Sequence, residues 1–152
     1  MAQKNTIPDP VELTDQLVAA FDRGDVDSIA SLGAEDAVFS ATAFGLRFEG
    51  VAAIRSFVEE WFGAFADLAF ELLEVEHLAK GVVFALVRQS GSPVGAVGSI
   101  EQNEGWVIAW EDGLIRQAAS YIGIDEARAH AERLAQEQNS KQPASGNSPK
   151  MR

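Results

Sequence analysis

Apolar residues recur at every fourth position near the start of the chain, at Leu13, Leu17 and Phe21, and this spacing predicts an amphipathic helix over residues 9–22 that ends near Gly24. Asp25 then stands where a helix cap belongs, ahead of a short second helix carrying Val26, Ile29 and Leu32. The strongest helical stripe comprises Ile54, Phe57, Val58, Trp61 and Phe65, between Gly50 and Ala66. A stripe of that breadth requires a large apolar partner, and the next part of the chain supplies one. Extended runs over residues 68–78, 81–90, 95–110 and 114–122 are separated by Ala79-Lys80-Gly81, Gly91-Ser92-Pro93 and Glu111-Asp112-Gly113, a succession that predicts an antiparallel meander. Two short strands, 36–41 and 46–48, precede the long helix, and a weakly amphipathic last helix over 125–135 starts at Asp125.

Helices first and long strands afterwards predict an α+β fold: a cone-shaped curved antiparallel sheet packed against N-terminal helices, enclosing a pocket at its open end. One domain spans residues 9–135, after a polar lead-in at 1–8. Residues 136–152, rich in Gln, Ser, Asn and Pro, carry too few apolar side chains to offset their ordering entropy, which predicts a disordered tail.

Strand parity selects candidate pocket residues. With Glu111-Asp112-Gly113 taken as a three-residue loop, Trp110 opposes Leu114, Ile108 opposes Arg116 and Trp106 opposes Ala118. Two indoles and a guanidinium would then share the concave face with Ser120 and Ile122, facing Leu17 and Phe21 of the first helix and Phe57, Val58 and Trp61 of the long one.

Composition removes several chemistries. The 152 residues contain no cysteine, which excludes disulfides, thiolate metal sites and cysteine nucleophiles. Net charge is −11 without a basic cluster, so neither nucleic acid nor an anionic membrane is an expected partner. The stretch MAQKNTIPDP has no signal-peptide core, and no run approaches the roughly 20 apolar residues of a membrane span, which points to the cytoplasm. His77 is expected beside a turn and His130 on the exposed face of the last helix, too far apart for a histidine metal site, and no cofactor is expected. Glu59, Glu60, Glu71, Glu74 and Glu76 read as solvated surface, and neither a phosphate-binding glycine loop nor a nucleophile elbow is present.

The runs LVAAFDRGDVDSIASLGAEDAVF, FEGVAAIRSFVEEW and WVIAWEDGLIRQAASYI resemble the nuclear transport factor 2-like superfamily, and within it the bacterial SnoaL-like domains, relatives of polyketide cyclases and ketosteroid isomerase. The resemblance covers residues 9–135 and implies the cone fold; function follows less directly, because this fold hosts many activities. It places the isomerase's carboxylate base at Ala41 or Thr42, its oxyanion-holding Tyr at Leu17 and its protonated Asp at Trp106. None of these residues can perform those roles. The Asp-Arg-Asp set of limonene-epoxide-hydrolase-like members has no counterpart, and the final strand LIRQAASYI lacks the His and Asp of SnoaL-type cyclases.

The likeness also implies that Val82, Phe84, Leu86 and Arg88 face inward. Val83, Ala85, Val87, Ala109, Ile115 and Ala119 would then form an outer apolar row, buried in a homodimer. The expected ligand-binding set is Leu17, Phe57, Trp61, Phe84, Arg88, Trp106, Arg116 and Ser120. Arg88 and Arg116 read either as anchors for a carboxylate, phenolate or enolate, or as structural ion pairs with Glu104 or Gln102 as partners, or as arginines snorkelling to the cone mouth. The aromatic stripe reads either as core or as ligand wall. The resulting expectation is a SnoaL-like domain binding a small hydrophobic metabolite, anionic where the arginines anchor it, and without the superfamily's known catalytic sets. The enzymatic alternative is an isomerase or cyclase of polyketide-, steroid- or terpene-like substrates, with Glu104 as base and Arg116 as electrophilic stabiliser. A dimeric interaction module with a filled cone is the third option.

Overall fold

A computed structural model describes residues 8–140, the side chains of 139 and 140 excepted. Its elements run α1 (Pro10–Arg23), α2 (Val26–Ser31), β1 (Gly33–Ala41), β2 (Leu46–Glu49), α3 (Val51–Gly63), β3 (Ala69–Ala79), β4 (Val82–Gly91), β5 (Ile100–Glu111), β6 (Leu114–Tyr121) and α4 (Ile124–Ser140), with a 3-10 turn at Thr42–Phe44 before β2. The fold is α+β, with one curved six-stranded sheet in the order β2-β1-β6-β5-β4-β3. β1 runs parallel to β6 and every other neighbouring pair is antiparallel. Among the described residues no helix is long and apolar enough to cross a membrane.

Local chemistry accounts for the helix ends. Asp9 caps α1 by accepting from the Val11 N–H, Pro10 occupies the first helical position where no N–H is needed, and Gly24 closes the helix at φ +67°. Asp25 caps α2 through the Ser28 N–H, and the Ser28 hydroxyl donates to its other oxygen. Those bonds, with Arg23 beside it, hold the Asp25 carboxyl below the usual aspartate range.

Sheet curvature divides the apolar residues into two sets. On the concave side α1, α2 and α3 cover Val83, Ala85, Val87, Trp106, Ile108 and Trp110. On the convex side α4 lays Ala127, Ala131, Leu134 and Ala135 on Val82, Phe84, Val107 and Ala109. A methyl added at Gly105 would lie 2.4 Å from the Ala127 Cβ, so the absent side chain is what lets α4 sit this close to β5.

Several expectations are corrected here. The helices do not all lie on one face, because α4 packs on the other. That helix runs to Ser140, so residues 136–140 are helical rather than part of a disordered tail; 141–152, like residues 1–7 of the lead-in, lie outside the described residues. β5 begins at Ile100, not 95. The β5–β6 loop has two residues, Asp112 and Gly113, at φ +56° and +81°, as in a type I′ turn, and Glu111 pairs with Leu114.

β4 has the opposite parity from the one expected. Ala85 pairs with Trp106, Val83 with Ile108, Val87 with Glu104 and Gln89 with Gln102, so Val83, Ala85, Val87 and Gln89 share the concave face. Phe84 lies beneath α4, with the Arg128 guanidinium 4.2 Å from its ring centroid. The run GVVFALV is apolar on both sides, and such a run carries no alternation from which to read direction. The outer row proposed for a homodimer therefore does not exist as drawn: Val83, Ala85, Val87 and Ile115 belong to the concave cluster, and Ala109 is covered by α4.

Candidate functional site: an aromatic cavity with a buried carboxylate

The concave cluster does not fill its own space. A cavity of about 150 Å³ lies between α1, α2, α3 and the sheet. Its wall is mainly apolar: Leu17 and Phe21 come from α1, Ile54, Phe57, Val58 and Trp61 from α3, and Phe70, Trp106, Ile108 and Ala118 from the sheet. Phe44 and Ile122 are 57% and 49% exposed and also line the space, which marks its mouth. The rings form a chain of contacts, with Phe57 4.6 Å from Phe48 and 6.1 Å from Trp61, and Phe21 5.1 Å from both Phe70 and Trp106.

One patch of the wall is polar. Gln102, Glu104 and Trp106 alternate along β5 and so point to the same side, with Gln89 across from Gln102 on β4. Glu104 is 8% exposed. Its Oε2 accepts from Gln89 Nε2 at 2.5 Å and Gln102 Nε2 at 2.7 Å, and its Oε1 accepts from Trp106 Nε1 at 3.0 Å. Trp61 Nε1 donates to Gln89 Oε1 at 2.5 Å. An indole N–H only donates, so Trp61 fixes the orientation of the Gln89 amide and turns its NH₂ toward Glu104. The carboxylate is thus reached by three donors and by no acceptor. Donors at both oxygens lock its direction.

The expected site residues separate accordingly. Leu17, Phe57, Trp61, Trp106 and Ser120 line the cavity. Phe84, Arg88 and Arg116 do not, which corrects their expected direction. Arg88 pairs with Glu71 at 3.1 Å and Glu101 at 3.2 Å, and its side chain is 41% exposed. Arg116 pairs with Asp36 and Glu111, each at 3.4 Å, and is 49% exposed. The cause is a bulge. Trp110 pairs with Ile115 and Ala109 with Gln117, so Arg116 is the extra residue, turned outward, while Ile108 and Ala118, Trp106 and Ser120 recover the expected face. Both arginines are surface ion pairs, and Glu104 partners neither.

Trp110 leaves the cavity as well; its Nε1 donates at 3.0 Å to the Thr14 hydroxyl, which itself donates to the Pro10 carbonyl. Of the positions matched to the isomerase's functional residues, Leu17, Trp106 and Ala41 line the cavity, and Thr42, the alternative to Ala41, does not. Arg55 is the one cationic side chain on the lining among the described residues, and it is committed to Asp27 and Glu59, which raise its pKa further.

His130, expected in solvent, is half-buried, with its Nδ1 3.0 Å from the Tyr121 hydroxyl; burial, then Arg133, lowers its pKa, against a smaller opposing pull from Glu137. No group of three or more metal-ligating side chains exists among the described residues. Gln89 and Gln102 are the site residues that sequence reasoning missed. Alternation along QNEGW could have set Gln102 beside Glu104 and Trp106, whereas Gln89 needed the β4–β5 register across a long connection.

The family model of the SnoaL-like domain matches residues 14–118, more than half of the chain. The chain belongs to the SnoaL-like domain family. No curated protein matches it as a relative. Among solved structures, a protein of ketosteroid isomerase-like fold from Catenulispora acidiphila, in complex with trimethylamine, superposes with TM-score 0.69 at 16% identity, covering 84% of this chain and 95% of that one. A SnoaL-like protein from Shewanella denitrificans, assigned as a polyketide cyclase, gives 0.66 at 10% identity over 82% and 97%. SalBIII, an epoxide hydrolase/cyclase-like enzyme of pyran ring formation in the polyether salinomycin, gives 0.68 at 17% identity over 76% and 92%. At these identities the likeness concerns the fold.

Proposed function

We propose that this SnoaL-like domain binds a small hydrophobic molecule in its cavity, with the molecule's polar end against Glu104. The observation that carries the reading is a buried, donor-fixed carboxylate on the wall of an otherwise aromatic and aliphatic space. Apolar cavities of about 150 Å³ accept a molecule of benzene's size, whereas drug-sized ligands occupy roughly 300–1,000 Å³. The cavity here, about 150 Å³, fits one ring or a short branched chain, and a fused polyketide or steroid skeleton would require it to widen. Trimethylamine, bound by the Catenulispora neighbour, falls within this size class. The anionic ligand expected from the sequence loses its basis, because neither Arg88 nor Arg116 lines the cavity.

A second reading, an isomerase or cyclase, draws on the same carboxylate. A glutamate of fixed direction on a cavity wall has the geometry a general base needs. Its electrophilic partner is missing from that arrangement, since Arg116 is paired on the surface and both nearby indole N–H groups are already donating. Binding is therefore the primary reading.

The test is a cavity-filling variant. Ala118→Phe places a ring in the space from β6, opposite Ile108. Binding of single-ring aromatic molecules, followed by calorimetry, is expected in the parent and abolished in the variant. Equal binding by both proteins would move the ligand elsewhere and reject the proposal.

A further inference from the structure

Glu104 is an acidic side chain that forms no ion pair with any cationic group among the described residues. Its three partners are two amides and an indole, all formally neutral. Arg55, the one cation on the lining, is already shared between Asp27 and Glu59. Hydrogen bonds orient a buried carboxylate and offset part of its lost hydration, but they leave its field in place, and in a space walled by hydrocarbon that field is screened little. Phe21, Phe57, Phe70, Trp61 and Trp106 line the same space, and an aromatic ring attracts a cation that approaches its face.

Resting on the reading of the cavity as a small-molecule site, we propose that its ligand is a protonated amine: a hydrophobic ammonium ion whose N–H donates to Glu104 and whose alkyl or aryl body lies among the rings. Ring faces and carboxylate favour the same sign of charge. The acceptor is available, since Glu104 Oε1 receives one hydrogen bond, from Trp106, where a carboxylate oxygen has room for two. The relay from Trp61 through Gln89 holds Oε2 from the other side, so the carboxylate need not reorganise when the ligand arrives. Specificity follows from desolvation. An amine transferred from water regains a charged hydrogen bond at Glu104, a neutral isostere regains a weaker one, and a carboxylate meets a like charge with no arginine in reach.

Three molecules of nearly one shape separate these cases: benzylamine as the cation, benzyl alcohol as the neutral isostere and benzoate as the anion. Calorimetric titration near pH 7 is expected to give benzylamine at least tenfold tighter binding than benzyl alcohol, with benzoate weakest. Glu104→Gln keeps the approximate shape of the side chain and removes the charge; it is expected to erase the tenfold advantage of benzylamine over benzyl alcohol. The series on the unaltered chain is decisive even if that variant fails to fold.

Benzyl alcohol binding as tightly as benzylamine, or benzoate binding more tightly than either, overturns the ammonium assignment and leaves the small-molecule site standing. An amine preference that survives Glu104→Gln overturns it too, by assigning the preference to another group. If none of the three binds, the small-molecule reading falls and the ammonium assignment with it.

Discussion

The two faces of the sheet are built from the same strands and differ in how completely they are closed. On the convex face α4 meets β4 and β5 through Ala127, Ala131 and the bare backbone of Gly105, and Val82, Phe84 and Val107 are no more than 1% exposed. On the concave face α1 and α3 bring large rings against the sheet, with α2 beside them, and these rings leave a cavity they do not fill. Small residues give contact, whereas large ones arranged round a curve give an enclosure. Polar groups divide in the same way: the convex contact of α4 carries its charge at the rim, on Arg128 with Glu74 and Glu76, while the concave face buries Gln89 and Glu104. The convex face thus supports the fold, and the concave face holds the candidate site.

Phe84 and Phe57 put this difference to its largest test, since the sequence assigned both to the pocket. Phe84→Ala removes a ring that is 1% exposed beneath α4, and the expected loss is about 3–5 kcal/mol in urea unfolding. Phe57→Ala removes a ring that already borders free space and is partly exposed, so fewer contacts disappear and the expected loss stays below about 2 kcal/mol. Ligand binding should respond in the opposite order, with Phe57→Ala weakening it and Phe84→Ala leaving it intact while the protein stays folded. Equal losses of stability would mean that the concave face is packed as tightly as the convex one.

The extent to which each face was legible in the sequence follows from the kind of signal it leaves. Period-four stripes and turn residues located every helix and strand, because burial on one side and water on the other imprint an alternation. The wall residues Leu17, Phe57, Trp61, Trp106 and Ser120 came from such alternation and from the likeness to a known fold. Phe84 and Arg88 were misdirected because β4 is apolar on both faces, which is the mark of a strand covered twice. Arg116 was misdirected by one residue of loop length: a two-residue turn followed by a bulge replaces the three-residue loop, and side-chain direction reverses with every residue of shift. Glu104 was weighed as a partner for the arginines and as a base. Its isolation from every cation was not legible, because that depends on where the arginines go.

A smaller effect is expected at the end of the convex contact, where the Tyr121 hydroxyl meets His130. Burial and the nearby Arg133 lower the His130 pKa in the folded protein, with Glu137 opposing. The unfolded chain therefore binds a proton more readily than the native one. Stability is full above the unfolded-state value of about 6.5 and falls as pH drops below it toward the native value. Melting temperatures recorded from pH 7.5 down to 5.5 should decline, and His130→Gln should flatten the part of that decline due to this group. An unchanged slope in the variant would place the pH dependence among the carboxylates instead.

The smallest effect is expected at Arg116, the residue that the sequence made most prominent. Its guanidinium reaches Asp36 and Glu111 at 3.4 Å, and the side chain is 49% exposed. An exposed ion pair gains little over the hydration it gives up, so Arg116→Met should change unfolding free energy by no more than about 1 kcal/mol, in either direction, and less in high salt. Arg88→Met, paired with Glu71 and Glu101 at similar distances, should behave alike. Neither arginine lines the cavity, so affinity for a single-ring ligand should stay within about twofold of the parent in both variants, well under the tenfold that 1.4 kcal/mol represents. A destabilisation of about 3–5 kcal/mol would mean that removing the arginine strands a buried partner. A tenfold loss of affinity would mean that the guanidinium reaches the ligand after all. Either result would return a cation to the concave face, and with it the anionic ligand that the sequence first suggested.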